Sequence, residues 1–194
     1  MTSRSIESVY AIIDAGVAED PLALGRHALT ARCAMLQLRA KHLDDRSFVD
    51  LATELCAACR EAGVPFVIND RADIAQIVHA DGLHLGQEDL RLADARRVVG
   101  AMQIGISTHD LDQARQAARE GADLIAFGPI YETHTKEDPD PVVGPQMLAE
   151  VCRAVARPIV AIGGITPENV EKTLQHGATY VAVISALPRF LGLR

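Results

Sequence analysis

Short β-rich runs return roughly every 20 to 25 residues along this chain, with helical punctuation between them. They fall at 9–14, 35–40, 65–70, 82–86, 102–107, 124–130, 158–164 and 179–185. Several open in the same way, as EAGVPFVI, REGADLIAF and QHGATYVAV do: a glycine suited to a left-handed helix end, then an apolar strand. Thr166-Pro167-Glu168 reads as a helix start, with proline at the first helical position. Strict alternation of strand and helix implies a parallel sheet with right-handed crossovers. Eight such strands close naturally into a (β/α)8 TIM barrel, an α/β fold expected here as a single domain over 1–194. Only nine residues, ALPRFLGLR, follow Ser185, so the last helix is expected to be short or missing. A subunit contact in a homo-oligomer or a rearranged tail would then cover the groove between strands eight and one.

Composition narrows the function. The chain is 48% hydrophobic, enough for one filled core, and carries a net charge of −7 from 26 acids against 19 bases. It holds no basic block, so nucleic acid is not the expected partner. No apolar run approaches the roughly 18 residues of a membrane helix. MTSRSIESVYAIID has no apolar stretch leading to a cleavage site, so the expected location is the cytoplasm. Cys56 and Cys59 form a C-x-x-C, but within LATELCAACREAG it reads as mid-helix; reduced, buried thiols are expected. No G-x-S-x-G, Walker or dinucleotide glycine signature occurs.

A barrel of this kind carries its site at the C-terminal ends of the strands, and polar residues collect there. In MLQLRAK, period two places Gln37, Arg39 and Lys41 on one face and Leu36, Leu38 and Ala40 on the other. Two cations at a barrel mouth need counter-charges. Either carboxylates of neighbouring strands pair with them, or an anionic ligand takes the guanidinium fork. Strand three ends in Asn69, Asp70 and Arg71, and strand four is followed by Gln87, Glu88 and Asp89. Asp70 and Asp89 lie beyond adjacent strands, where two carboxylates can share a divalent ion; the other reading of Asp89 is a helix cap. Strand five ends in Ser107, strand seven in Gly163-Gly164 and strand eight in Ile184-Ser185. Backbone N–H groups at such glycines can approach a phosphate closely. His79, His84 and His109 also fall near strand ends, but without a metal spacing. YETHTKEDPDPVVG, 131–144, is a long polar loop after strand six, and loops of that length are commonly functional.

In this order the motifs QLRAK, INDR, DGLHLGQED, IGIS-x-H, GADLIAFGPIYETHTK, VAIGGI-x-x-EN and VAVIS closely resemble the thiamine-phosphate synthase family. The matches run from Gln37 to Ser185. An IGGI alone is shared by many phosphate-binding barrels; the ordered set, with T-x-T-K in the sixth loop, is specific. The resemblance implies a transferase of thiamine biosynthesis that joins a pyrimidine methyl diphosphate to a thiazole phosphate and releases pyrophosphate. It implies that Gln37, Arg39, Lys41, Asn69, Ser107 and Lys136 bind the pyrimidine diphosphate, with Arg39, Lys41, Ser107 and Lys136 acting on the departing group. Asp70 and Asp89 would hold Mg2+, and Thr133, Thr135, Gly164, Ile184 and Ser185 the thiazole phosphate. The loop then gains a purpose: its threonines bond one phosphate, Lys136 reaches the other, and its closure shields a reactive cation from water. Two other readings stay open, a related thiazole tautomerase and a paralogue that binds thiazole phosphate without reaction. The joint presence of Asp70, Asp89 and Lys136 favours the synthase.

Overall fold

A computed structural model describes residues 6–133 and 140–193. Eight strands, all paired in parallel, form a closed barrel in chain order. They are β1 (Val9–Asp14), β2 (Met35–Arg39), β3 (Phe66–Asn69), β4 (Gly82–Leu85), β5 (Gln103–Thr108), β6 (Leu124–Phe127), β7 (Ile159–Ile162) and β8 (Tyr180–Val183). Among the described residues the helices are α1 (Pro21–Thr30), α2 (Asp45–Ala62), α3 (Ala72–Ile77), α4 (Leu92–Val99), α5 (Leu111–Glu120), α6 (Gly144–Ala154), α7 (Val170–Gln175) and α8 (Leu187–Phe190). The barrel closes where Val9, Tyr10 and Ala11 pair with Val181, Ala182 and Val183.

Period two on each strand builds two separate apolar layers. Val9, Ala11 and Ile13 of β1, Leu36 and Leu38 of β2, and Phe66 and Ile68 of β3 pack outward against the helices. Tyr10, Ile12, Met35, Val67, Ala126, Val160 and Ala182 fill the barrel itself. The parity expected for β2 is therefore the parity observed, with Gln37 buried beside Tyr10.

Local signals explain several of the helix ends. Asp20, Asp44 and Asp110 cap α1, α2 and α5 by accepting backbone N–H groups at 2.9, 3.1 and 2.8 Å. Gly63 and Gly121 end α2 and α5 in the left-handed conformation. One expectation fails. Residues 167–169 form a turn, and α7 starts at Val170 rather than at Pro167. Asn169 causes the delay: its side chain accepts from Thr166 N at 2.8 Å and donates to Gly164 O at 2.9 Å, tying the segment back to the end of β7.

β6 is also shorter than its apolar run suggests. Its ladder stops at Phe127 because Pro129 has no N–H to donate, and Ile130 and Tyr131 resume bonding to Ile162 and Gly163 at 2.8 and 3.0 Å. The last helix is present and short. Leu187 and Phe190, three residues apart, anchor α8 in the outer layer, where Ile6 and Leu191 join it.

Cys33, Cys56 and Cys59 are buried in that outer layer, and all four cysteines are free. Burial raises the Cys33 and Cys59 thiols to about 12, far from the reactive thiolate. At pH 8 the folded chain should therefore react quickly with a thiol-specific disulfide reagent at Cys152 at most. All four should react in denaturant. Rapid labelling of Cys59 in the native protein would contradict this packing.

A second expectation concerns β6. A Cβ on Gly128 would lie 2.1 Å from the backbone oxygen of Ile162, which has no rotamer with which to yield. Gly128→Ala should cost about 3 kcal/mol or more. At Gly63, where nothing lies within 4 Å but φ is 68°, alanine should cost only about 1 kcal/mol. Urea midpoints of the two variants would test that order.

Candidate active site

The C-terminal ends of the strands surround a cavity of about 640 Å³. Of the residues singled out above, Gln37, Arg39, Asn69, Ser107, Thr133, Gly164, Ile184 and Ser185 line it. Lys41, Asp70 and Asp89 form a neighbouring cluster, where the chain continues past Arg39 and Asn69. Thr135 and Lys136 lie outside the described residues, as does the middle of the loop expected to close over the site.

Arg39 projects inward because it shares the parity of Met35 and Gln37. Its guanidinium is ion-paired with Asp14, the last residue of β1 and its register partner. Asp14 is buried and also accepts the Gly16 N–H at 2.9 Å, so it is fixed before any ligand arrives. Lys41 Nζ lies 3.3 Å from Asp70 Oδ2. Both cations thus have the carboxylate partners weighed in the sequence, one from each flanking strand. Such pairing keeps the cations in place while leaving further donors free for an anion.

Below Arg39, Gln37 Nε2 donates to Tyr10 Oη at 2.7 Å. Burial pushes the Tyr10 hydroxyl well above its ordinary range, so it stays neutral and anchors the glutamine. Across the barrel, His84 Nε2 meets Ser107 Oγ at 2.9 Å. Gly105 makes room for that imidazole, since a Cβ there would lie 2.6 Å from His84 Nδ1. His84 therefore orients the serine.

Asp70 has φ 63°, unusual for a residue other than glycine, and its N–H is held by His84 O at 2.8 Å. Its carboxyl is pushed up to about 6, first by burial and then by the facing Asp89 carboxylate, with Lys41 opposing both. Asp89 accepts the Gly86 N–H at 2.6 Å instead of capping α4, whose cap position is Arg91. The helix-cap alternative for Asp89 is thus not the arrangement present. Two facing carboxylates of this kind favour a cation between them. Among the described residues no cluster of three His, Cys, Asp or Glu could hold a metal. A divalent ion here would need water or ligand oxygens to complete its shell, which suits magnesium.

The opposite side of the cavity is built by backbone. Gly163 and Gly164 have φ 95° and 64°, and a Cβ on either would run into Pro129 or Tyr131 and Glu132 at 2.4 to 2.7 Å. With Ile184 and Ser185 at the end of β8 they form the neutral wall of the site.

The residues missed in the sequence are Asp14, Tyr10, Asp140 and Arg189. Asp14 was open to the same strand-end rule as Arg39, as the one acid closing the apolar run VYAIID. Tyr10 looked like any core aromatic. Asp140 lies on the loop after β6 and Arg189 on the short α8 after β8, where no long period marks a direction. His109, set aside for lack of a metal spacing, lines the cavity, donates from Nδ1 to Gly128 O at 2.7 Å and sits 3.5 Å from Asp140.

The likeness to known proteins runs along nearly the whole chain. Residues 9–187 match the family model described as thiamine monophosphate synthase. The chain is similar to the thiamine-phosphate synthase of Chloroflexus aurantiacus, with 40% identity over 92% of this chain and 84% of that protein. The corresponding enzyme of Syntrophomonas wolfei shares 45% identity over 84% of this chain and 78% of its own length. Thiamine phosphate pyrophosphorylase from Pyrococcus furiosus superposes with a TM-score of 0.86 at 30% identity, covering 96% of this chain and 89% of that one. An N-acetylmannosamine-6-phosphate 2-epimerase from Clostridium perfringens, 15% identical with a TM-score of 0.70, shares the fold alone. By this family match and these relatives, the chain belongs to the thiamine monophosphate synthase family.

Proposed function

We propose that this chain condenses an aminopyrimidine methyl diphosphate with a thiazole phosphate, giving thiamine phosphate and pyrophosphate. The observation that carries this reading is one cavity with two unlike walls. Arg39, Gln37, Asn69 and Ser107 stand beside a carboxylate pair, and opposite them are the glycine and serine backbone of β7 and β8. The first wall suits a diphosphate and the second a monoester.

In this reading the bond from the methylene carbon to the diphosphate oxygen breaks first, and its electron pair leaves with pyrophosphate. The electron-rich aminopyrimidine stabilises the methylene cation until the thiazole nitrogen supplies the pair for the new carbon–nitrogen bond. No proton need be removed from the nucleophile. The protein's task is positioning and charge stabilisation. Arg39, anchored by Asp14, donates to the diphosphate in a planar fork, and Lys41 adds a second positive charge. Ser107, oriented by His84, donates to the same group. Gln37 and Asn69 hold the pyrimidine. Thr133 and the Gly164, Ile184 and Ser185 wall hold the monoester and direct the nitrogen. Lys136 and Thr135 would act from the loop. Asp70 and Asp89 would hold Mg2+, which when bound neutralises charge on the pyrophosphate oxygens.

A discontinuous assay of pyrophosphate release, with both substrates and with or without magnesium, tests the reading. Release that needs both substrates and the metal is expected; full activity in excess chelator would remove the metal from the scheme.

Asp70→Asn should lose pyrophosphate release and the upward shift in melting temperature that magnesium gives the native protein. Its effect without metal has the opposite sign. Asp70 is raised from 3.8 to about 6 in the folded chain, so ionising it destabilises the fold as pH rises through that window. The neutral asparagine should therefore melt no lower than native at pH 7, and the difference should vanish near pH 4. A magnesium-free melting temperature well below native at pH 7 would indicate a structural role instead.

Arg39→Lys should weaken pyrimidine diphosphate binding roughly tenfold and leave thiazole phosphate binding nearly unchanged, because an ammonium cannot span Asp14 and a phosphate as a fork does. Equal losses for both substrates in steady-state kinetics would point to a disturbed β2.

A further inference from the structure

Two arginines line the cavity among the described residues, one at the end of β2 and the other beyond β8. Arg39 belongs to the diphosphate side. The other, Arg189, is a residue of α8, beyond the end of β8. We propose that Arg189 binds the phosphate monoester of the second substrate, supplying the positive charge that the wall of glycine and serine lacks. The proposal rests on the synthase reading and deepens it.

The placement follows from the way α8 is seated. Leu187 and Phe190 are buried in the outer layer and fix the helix, while the intervening Arg189 keeps a side chain more than half exposed and reaches the cavity. Gly163, Gly164 and Thr166 come from the end of β7, and Ile184, Ser185 and Ala186 from the end of β8; all line the same side. Every donor these residues offer is neutral. A phosphate monoester carries between one and two negative charges at neutral pH. Glu132 and Asp140 also line the cavity, and the whole chain is at −7, so an anion on this wall meets an unfavourable field. One cation at the wall reverses that locally.

Arg189 is held by Glu168, with Nη2 2.6 Å from Oε1. Both groups are largely exposed, and such a pair contributes little to stability, about 0 to 1 kcal/mol at most sites. Stability therefore does not account for an arginine at this position. Glu168 follows Thr166 and Pro167 in the turn that Asn169 ties to Gly164, so the ion pair lies beside the wall, while Leu187 and Phe190 set the position of α8. The guanidinium has five N–H donors, and the remaining ones suffice for phosphate oxygens while the ion pair persists. The arrangement repeats that of Arg39 and Asp14: an arginine held by one carboxylate, with donors left for an anion.

The test uses Arg189→Gln, Arg189→Lys and Glu168→Gln in the full chain. Calorimetry would give the affinity of each for thiazole phosphate and for the corresponding thiazole alcohol, and steady-state assays would give KM for both substrates. Arg189→Gln should bind thiazole phosphate roughly tenfold more weakly, as expected for loss of a charge-assisted hydrogen bond. It should bind the alcohol as the native protein does and leave KM for the pyrimidine diphosphate unchanged. Arg189→Lys should recover part of the loss. Glu168→Gln breaks the same ion pair but keeps the cation, so it should bind thiazole phosphate nearly as native. Native-like phosphate binding by Arg189→Gln would overturn the proposal. So would equal losses in the phosphate and the alcohol, or a loss in Glu168→Gln matching that of Arg189→Gln. The synthase reading fails separately: native protein that releases no pyrophosphate, yet loses phosphate affinity on Arg189→Gln, would retain this site without that reaction.

Discussion

Parallel pairing of β8 with β1 leaves every strand with a neighbour on both sides, and the rest of the molecule depends on that closure. With no edge to slip, each strand has one register, and a shift of one residue would exchange its inner and outer side chains. The outward set, Leu36, Leu38, Phe66 and Ile68 among it, is apolar and needs the helices. The inward set is apolar low in the barrel and turns polar where β1 to β5 end, at Asp14, Arg39, Asn69, His84 and Ser107. Tyr10 and Met35 give way to Asp14 and Arg39 along β1 and β2. The site is thus the upper end of the barrel core, where water and ligand replace side chains.

In an acidic chain the cations at the barrel mouth need a particular setting. Among the described residues, three of them each pair with one carboxylate: Arg39 with Asp14, Lys41 with Asp70 and Arg189 with Glu168. Isolated cations at the mouth would be costly to desolvate, and fully neutralised ones would attract nothing. A single carboxylate per cation avoids both extremes, since arginine and lysine keep donors to spare. Where two carboxylates face each other, at Asp70 and Asp89, the balance is reversed, and the pair favours a cation from solution.

Small residues near the mouth do a different job. Gly105 vacates the space that His84 occupies, and Gly128 lets β6 pass against the backbone of Ile162. Gly163 and Gly164 let the end of β7 turn under Pro129 and Tyr131. Alanine at these positions would push apart walls whose spacing is set by the hydrogen bonds of the barrel.

Much of this was legible in the sequence, for a simple reason: period and punctuation are local. The recurrence of strands, the parity of Gln37 and Arg39, and the αL glycines at 63 and 121 all follow from neighbours a few residues apart. The late start of α7 was not legible, because Asn169 is committed to Gly164 and Thr166 by a geometry that exists only at the end of β7. The pairing of Arg39 with Asp14 and of Arg189 with Glu168 joins residues 25 and 21 positions apart. Sequence alone determined which residues stand at the strand ends, since the twofold repeat of a strand and the order of the chain settle that. Tertiary structure alone decided which of them meet, because barrel closure sets the register between strands and carries no signature in any one of them.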